Sequence, residues 1–326
     1  MQNRSLTFIS LLVLWGAISI SSQQSSRLSV ANPDLHRRTI VITMDDLPYV
    51  TIDVPYLANA QRATKQILHA LQKHRVPVVG FVNEAKLQPQ NERESRIALL
   101  QQWIDAGAIL GNHTFSHKDF NQLTIAEFED EITKGDLVTR QLMKSRGAYQ
   151  LYFRYPMTHT GDTQEKKEAI EKFLAVRGYK ITPHTIENSD FIFNVAYAQA
   201  LHKNDAPLAK RVRAAYIDFT IAATEFAESI SPKIFGRDIP QTLLIHANDI
   251  NADCLDEILT QFESRGYSFV SLDLAMRDPA YQTKDTYVTK MGPTWLWRWM
   301  KSKGMNLSFA ADPDPPRWVM DLYNQR

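Results

Sequence analysis

The chain has 326 residues, 44% hydrophobic and 22% charged, which is enough for one large folded unit with a sizeable core. Its 37 basic and 36 acidic side chains leave a net charge of +1, so no nucleic-acid-binding stripe and no like-charged tail is expected. The single cysteine, Cys254, excludes an internal disulfide.

In chain order, the first 22 residues stand apart. Arg4 precedes an apolar stretch over residues 6–20, and small residues follow. That is the layout of a secretory signal peptide with cleavage near Ser21 or Ser22, and it predicts a secreted or periplasmic protein. The stretch is short for a bilayer span and no other is longer, so no stable membrane span is expected after cleavage. A polar linker runs over 23–38. Strand-like and helix-like segments then alternate. "RTIVITMDD" (38–46) reads as a buried strand and residues 57–75 carry helical apolar spacing. "VPVVGFV" (76–82) is a second strand, 95–107 a helix, and "AILGNH" (108–113) a third strand. Residues 124–147 read as one long helix, with Thr124 as N-cap and Glu127 three residues on. "YQLYFRYP" (149–156) is the fourth strand, 164–179 a helix, and "YKITPHTI" (179–186) the fifth strand. A mostly helical insertion follows at about 195–235. "QTLLIHA" (241–247) is the sixth strand, 254–267 a helix, and "SFVSLDLA" (268–275) the seventh strand. The alternation predicts a parallel sheet with helical crossovers over 39–276, most simply a closed or nearly closed barrel, with an open doubly wound sheet as the alternative. Residues 277–326, rich in Pro and Trp, read as an extension packed on the barrel.

The candidate chemical residues all fall at the C-terminal ends of predicted strands, the rim where parallel α/β barrels carry their sites. Asp45 and Asp46 end the first strand, and His113 and His117 follow the third. Arg154 ends the fourth, Asp190 follows the fifth, and His246 ends the sixth. Two histidines at this spacing are common without any metal. Together with an aspartate from another strand they form an N2O donor set that suits zinc or a similar divalent ion, provided the chain makes one helical turn after the third strand. Adjacent strand residues point to opposite faces, so Asp45 and Asp46 serve one site only if the backbone turns, here at Leu47-Pro48. Arg154, closing an apolar strand, needs a carboxylate partner, and a free Asp45 supplies one. His246 is the natural proton donor opposite them.

These residues resemble the motifs of the NodB-homology polysaccharide deacetylases, carbohydrate esterases that remove N- or O-acetyl groups from sugars. "TMDDL" matches T-F-D-D-G in both aspartates, and "HTFSH" matches the histidine motif in full. "RYPMT" keeps Arg154 and Pro156 of R-x-P-x-G, with Thr158 in place of Gly. "ENSDF" matches D-x-x-D-W loosely, through Glu187, Asp190 and Phe191, and "LIH" supplies Leu244 and His246. The resemblance spans about residues 38–275 and implies a distorted (β/α)7 barrel. It implies a divalent metal, most simply Zn2+, on Asp46, His113 and His117. Asp45 would be the base, positioned by Arg154, and His246 the acid, oriented by Asp190. Leu244, Phe191 and Tyr155 would line the substrate groove, and a backbone N–H near Met157 would meet the oxyanion. The implied activity is hydrolysis of a carbon–nitrogen bond in an N-acetylated carbohydrate such as chitin oligomers or peptidoglycan. A hydrolase of a non-sugar amide or short ester, and a non-catalytic carbohydrate-binding protein, are the competing readings. Trp295, Trp297 and Trp299 fit helix packing better than a sugar platform.

Overall fold

The computed structural model describes residues 38–50 and 56–325. The segments read as signal peptide and, up to residue 37, as linker lie outside the described residues. The core of the fold is a curled parallel sheet of eight strands wrapped by helices. Strand β1 (Thr39–Leu47) is its centre. Every residue of it but Asp46 is buried, the continuous apolar run expected of a strand covered on both faces. Strand β2 (Val78–Val82) pairs on one side of it, followed outward by β3 (Ile109–Asn112), β4 (Leu151–Phe153) and β5 (Tyr179–Ile181). Strand β7 (Gln241–His246) pairs on the other side and carries β6 (Ile186–Glu187) at the far edge. Strand β8 (Ser268–Phe269) pairs with Thr39 and Ile40, beside the start of β1 where β2 has not yet begun. Helices α1 (Tyr56–Lys73) and α2 (Arg93–Asp105) follow β1 and β2, and α8 (Asp249–Ser264) follows β7. Helix α1 buries Ala60, Ala63, Thr64, Ile67, Leu68 and Leu71, an i, i+3, i+4 stripe that packs on α8 and the sheet.

The structure corrects the sequence reading in three places, each with a local cause. The fifth strand is two strands. Pro183 offers no N–H, and the chain leaves the ladder there. Thr182 N–H still reaches the Phe153 carbonyl at 2.8 Å, and Thr185 N–H reaches Thr242 at 2.9 Å on the opposite edge. Residues 182–185 thus run from one edge of the curled sheet to the other, and β5 and β6 do not pair. The seventh strand is only two residues long. Ser271 caps a short helix, α9 (Leu272–Ala275), by accepting from Leu274 N–H, so the alternating "SLDLA" is helical. The long helix at 124–147 is α3 (Ile125–Lys134) and α4 (Leu137–Met143), parted at Gly135. Thr124 and Glu127 do form the capping box. A Cβ at Gly135 would lie 2.5 Å from the Thr114 carbonyl carbon, so the helix end presses directly on the loop carrying the histidines. Glu84 then caps the new helix start, accepting from Val138 and Thr139 N–H.

Helix α5 (Gln164–Val176) precedes β5. The insertion is α6 (Asp190–His202) and the long α7 (Ala206–Phe235), starting a few residues before the expected point. The tail carries α10 (Trp295–Ser302) and α11 (Arg317–Tyr323). Trp295 and Trp299 are buried, the packing role expected of them. No described helix is long and apolar enough to cross a membrane. The tail is held by buried charge as well as apolar contact. Arg298, fully buried, donates to Asp285 at 2.7 Å, to Thr160 at 2.5 Å and to the Tyr287 carbonyl at 2.9 Å. Asp285 is also paired with buried Lys167 on α5 at 2.7 Å. Removing one member of such a cluster strands the others. Arg298→Met is therefore expected to cost about 3–5 kcal/mol, read as a clear fall in Tm by calorimetry; an unchanged Tm would show that the cluster does not hold the tail.

Candidate functional site

The site forms where β1, β3, β4, β6 and β7 end. At Asp46 the backbone turns left-handed, with φ of 68°. The β1–β2 register slips there, since Met44 faces Gly80 and Leu47 faces Val82. This bulge re-aims one side chain, so two consecutive aspartates open on one cleft. The turn the sequence placed at Leu47-Pro48 thus begins at Asp46 itself. The histidine loop also differs from expectation. It makes no helical turn: Thr114 and His117 are left-handed, at φ of 66° and 58°, and this brings the two imidazole centroids to 4.9 Å. The loop is fixed from outside. Asn83 donates to the His113 carbonyl at 2.6 Å, and Glu131 on α3 accepts from the N–H and hydroxyl of Ser116.

One ligand atom each from Asp46, His113 and His117 lies within 4.8 Å of the others. Nε2 of His117 and of His113 stand 3.5 Å and 3.7 Å from Asp46 Oδ1. That oxygen is buried and has no hydrogen-bond partner among the described residues, a costly arrangement unless an ion meets it. His113 Nδ1 lies 2.8 Å from the Arg154 carbonyl, which takes the ring's proton there and turns Nε2 toward the cradle. Burial pushes the His113 imidazole down to about 4, so it is neutral at pH 7 and able to ligate. Burial alone would raise the Asp46 carboxyl. Lys86 and the neighbouring histidines outweigh it and hold the group below the ordinary carboxylate range. Lys86 donates to the Asp46 backbone carbonyl at 2.8 Å and stands 3.6 Å from Oδ2, leaving Oδ1 to the cradle. These residues fit a divalent ion.

Asp45 is 1% exposed and pairs with equally buried Arg154 at 2.7 Å. The same Nη1 donates to Thr43 Oγ1 at 2.7 Å, and the guanidinium lies over the Phe81 ring at 4.5 Å. Asp45 is the register partner of His246 across the β1–β7 ladder. His246 Nδ1 meets Asp190 Oδ1 at 2.7 Å, while Asp190 Oδ2 accepts from His246 N–H, Asn248 and Asn251. Burial works against the imidazolium, but Asp190, helped by Asp46 and Asp45, raises His246 to about 10. A cleft of ≈ 570 Å³ opens on Asp45, Asp46, His113, His117 and His246. Leu244, Tyr155, Met157 and Phe191 line it. Tyr155 is buried, Phe191 is half exposed at the rim, and Met157 is left-handed at φ of 54°.

Three contributors escaped sequence reasoning. Lys86 sits in an unremarkable turn after β2. Glu187, read only as a motif remnant, lines the cleft, and burial pushes its carboxyl up to about 7. Gly292 comes from the tail and lies against Met157, where a Cβ would fall 1.9 Å from the Met157 carbonyl oxygen. No local pattern marks Lys86 or Gly292.

Comparison with known proteins finds several to which this chain is similar. A family model described as polysaccharide deacetylase matches residues 32–178, ending before Asp190 and His246. The peptidoglycan-N-acetylmuramic acid deacetylase PdaA of Bacillus subtilis is 26% identical over 234 residues, 71% of this chain and 72% of its own length. A polysaccharide deacetylase structure from Bacillus cereus covers 72% of this chain and 92% of its own at 17% identity and a TM-score of 0.49. A carbohydrate esterase family 4 pseudoenzyme from Bacillus anthracis covers 74% of this chain and 66% of its own at 15% identity and a TM-score of 0.48.

His113→Ala is expected to abolish stoichiometric divalent metal in the purified protein, measured by elemental analysis. Gly135→Ala, which touches no ligand but displaces their loop, is expected to weaken divalent-metal binding by roughly 10- to 100-fold in a chelator competition. Undiminished affinity in the glycine variant would show that the α3 end does not set the loop.

Proposed function

The chain belongs to the NodB-homology polysaccharide deacetylase family, and on that premise we propose that it hydrolyses acetyl groups from an N-acetylated sugar of a polysaccharide or oligosaccharide, such as chitin oligomers or peptidoglycan. The observation that carries this reading is the pair of acid–base groups flanking the metal cradle, each with its own separate charge partner. Asp45 is held by Arg154, and His246 by Asp190. A divalent ion on Asp46, His113 and His117, zinc by preference, supplies Lewis acidity toward the acyl oxygen and lowers the pKa of a water in the cleft. Asp45 takes the proton of the attacking water. Arg154 fixes the carboxylate's orientation. His246 gives its Nε2 proton to the departing amine, and Asp190 holds Nδ1 so that Nε2 faces the cleft. The backbone near Met157 meets the developing oxyanion, and Leu244 makes an apolar wall for the acetyl methyl. The N-terminal apolar stretch supports action outside the cytoplasm, where such polymers occur.

Acetate release from N-acetylglucosamine oligomers by the zinc-loaded protein tests the reading. Metal without acetate would point instead to a non-sugar amide or ester, and a protein that binds sugar without metal or turnover to a non-catalytic role. Asp45→Asn is expected to keep its zinc and to lose on the order of 10²–10⁴ in kcat; full activity would remove Asp45 as base. Asp190→Asn tests the acid. Without that carboxylate burial dominates and the His246 pKa falls, so the proton needed by the leaving group is lost at lower pH. The alkaline limb of the kcat profile should therefore move toward acid, and an unmoved limb would mean that His246 is not the donor.

A further inference from the structure

Beside the catalytic cleft lies a second groove of ≈ 460 Å³, and the two share Glu187, Ser189 and Gly292 as a common wall. Helix α7 and the tail build most of it. Phe226 of α7 and Trp297 and Phe309 of the tail form an aromatic side, with the Phe309 ring edge-on to Phe226 at 5.5 Å and to Trp297 at 4.7 Å. The charged groups lining the groove are Glu187, Asp312 and Asp314, and no Lys, Arg or His among the described residues lines it. Lys301 lies 5.0 Å over the Trp297 ring but does not line the groove.

We propose that this groove holds a neighbouring hexosamine of the same polysaccharide in its deacetylated, ammonium form, with Asp312 and Asp314 facing the charge and the aromatic side packing on the sugar ring. The proposal rests on the sugar-deacetylase reading and names the substrate within it: a chain already deacetylated in part. Continuity with the cleft is the first argument, since a ligand in one groove meets residues that wall the other. The second is shape and polarity. Aromatic rings pack on the C–H faces of a pyranose, and a hexose-sized unit suits the volume. The third is charge. An N-acetyl neighbour brings no counter-charge, and an acidic sugar brings the wrong one, whereas an ammonium answers the exposed Asp312 and Asp314 carboxylates at the groove. In keeping with that, partial desolvation and the charge of Asp314 push the Asp312 carboxyl up to about 6.

A hexamer of glucosamine, which has no acetyl group to lose, is the binding probe. Calorimetry with the zinc-loaded protein should show binding that weakens with salt. The Asp312→Asn/Asp314→Asn double variant should bind it about tenfold less tightly, with the fully N-acetylated hexamer bound equally by both proteins. In acetate release, the native protein should favour partly deacetylated oligomers over fully acetylated ones. The double variant should lose that preference while keeping its rate on the fully acetylated hexamer. Equal binding of the glucosamine hexamer by both proteins, or no preference in the native protein, overturns the groove assignment. If acetate is still released, the deacetylase reading stands without it. If no acetate is released from any oligomer but the carboxylate-dependent binding is present, the groove stands and the catalytic reading falls.

Discussion

Arg154 ties together the two halves of the site. Its guanidinium holds the Asp45 carboxylate, and its backbone carbonyl fixes the tautomer and direction of His113. The Asp45 carboxylate and one ring of the candidate metal cradle are therefore positioned by one residue at the end of β4. The cost is evident, since Nε and Nη2 of Arg154 are buried without hydrogen-bond partners among the described residues. A buried ion pair of this kind is poor at stabilising a fold, because desolvation offsets most of the attraction. Its value lies in geometry. The pair sets how far the carboxylate stands from the cradle, and Thr43 and the Phe81 ring remove what freedom the guanidinium has left.

The other carboxylates near the cleft have similar chemistry and different surroundings. Asp46 is pulled down by Lys86 and the histidines, which suits a ligand that must stay ionised. Asp190 is fully buried in a shell of donors and keeps His246 charged. Among the described residues Glu187 accepts a hydrogen bond only from the Ser189 N–H, and burial pushes it up toward neutrality. Four acids on one rim thus divide into separate roles through burial and partners. The insertion and the tail then give the cleft its outer shape. Gly292 seals the back of Met157, Phe191 at the rim meets Tyr323 of α11 edge-on at 6.1 Å, and α7 extends the wall beyond the barrel. The titratable groups of the cleft sit on the strand ends, and the insertion and the tail form much of the wall around them.

The sequence by itself determined the parallel α/β architecture. Runs such as "TIVITM" and "TLLIH" are continuous because strands covered on both faces have no polar side to show. It also placed Asp45, Asp46, His113, His117, Arg154 and His246 on one rim, because strand ends are visible in an alternating pattern and polar residues there have nowhere else to point. Tertiary structure decided the rest. The break at Gly135 depends on a loop about twenty residues away pressing on it, and the split of the fifth strand depends on two sheet edges lying close enough for four residues to bridge. Lys86 and Gly292 join the site only through contacts distant in sequence, and periodicity does not register such contacts. The left-handed turns at Asp46 and His117 belong to the same class. Their backbone angles are unfavourable locally, and the packing around them holds them there.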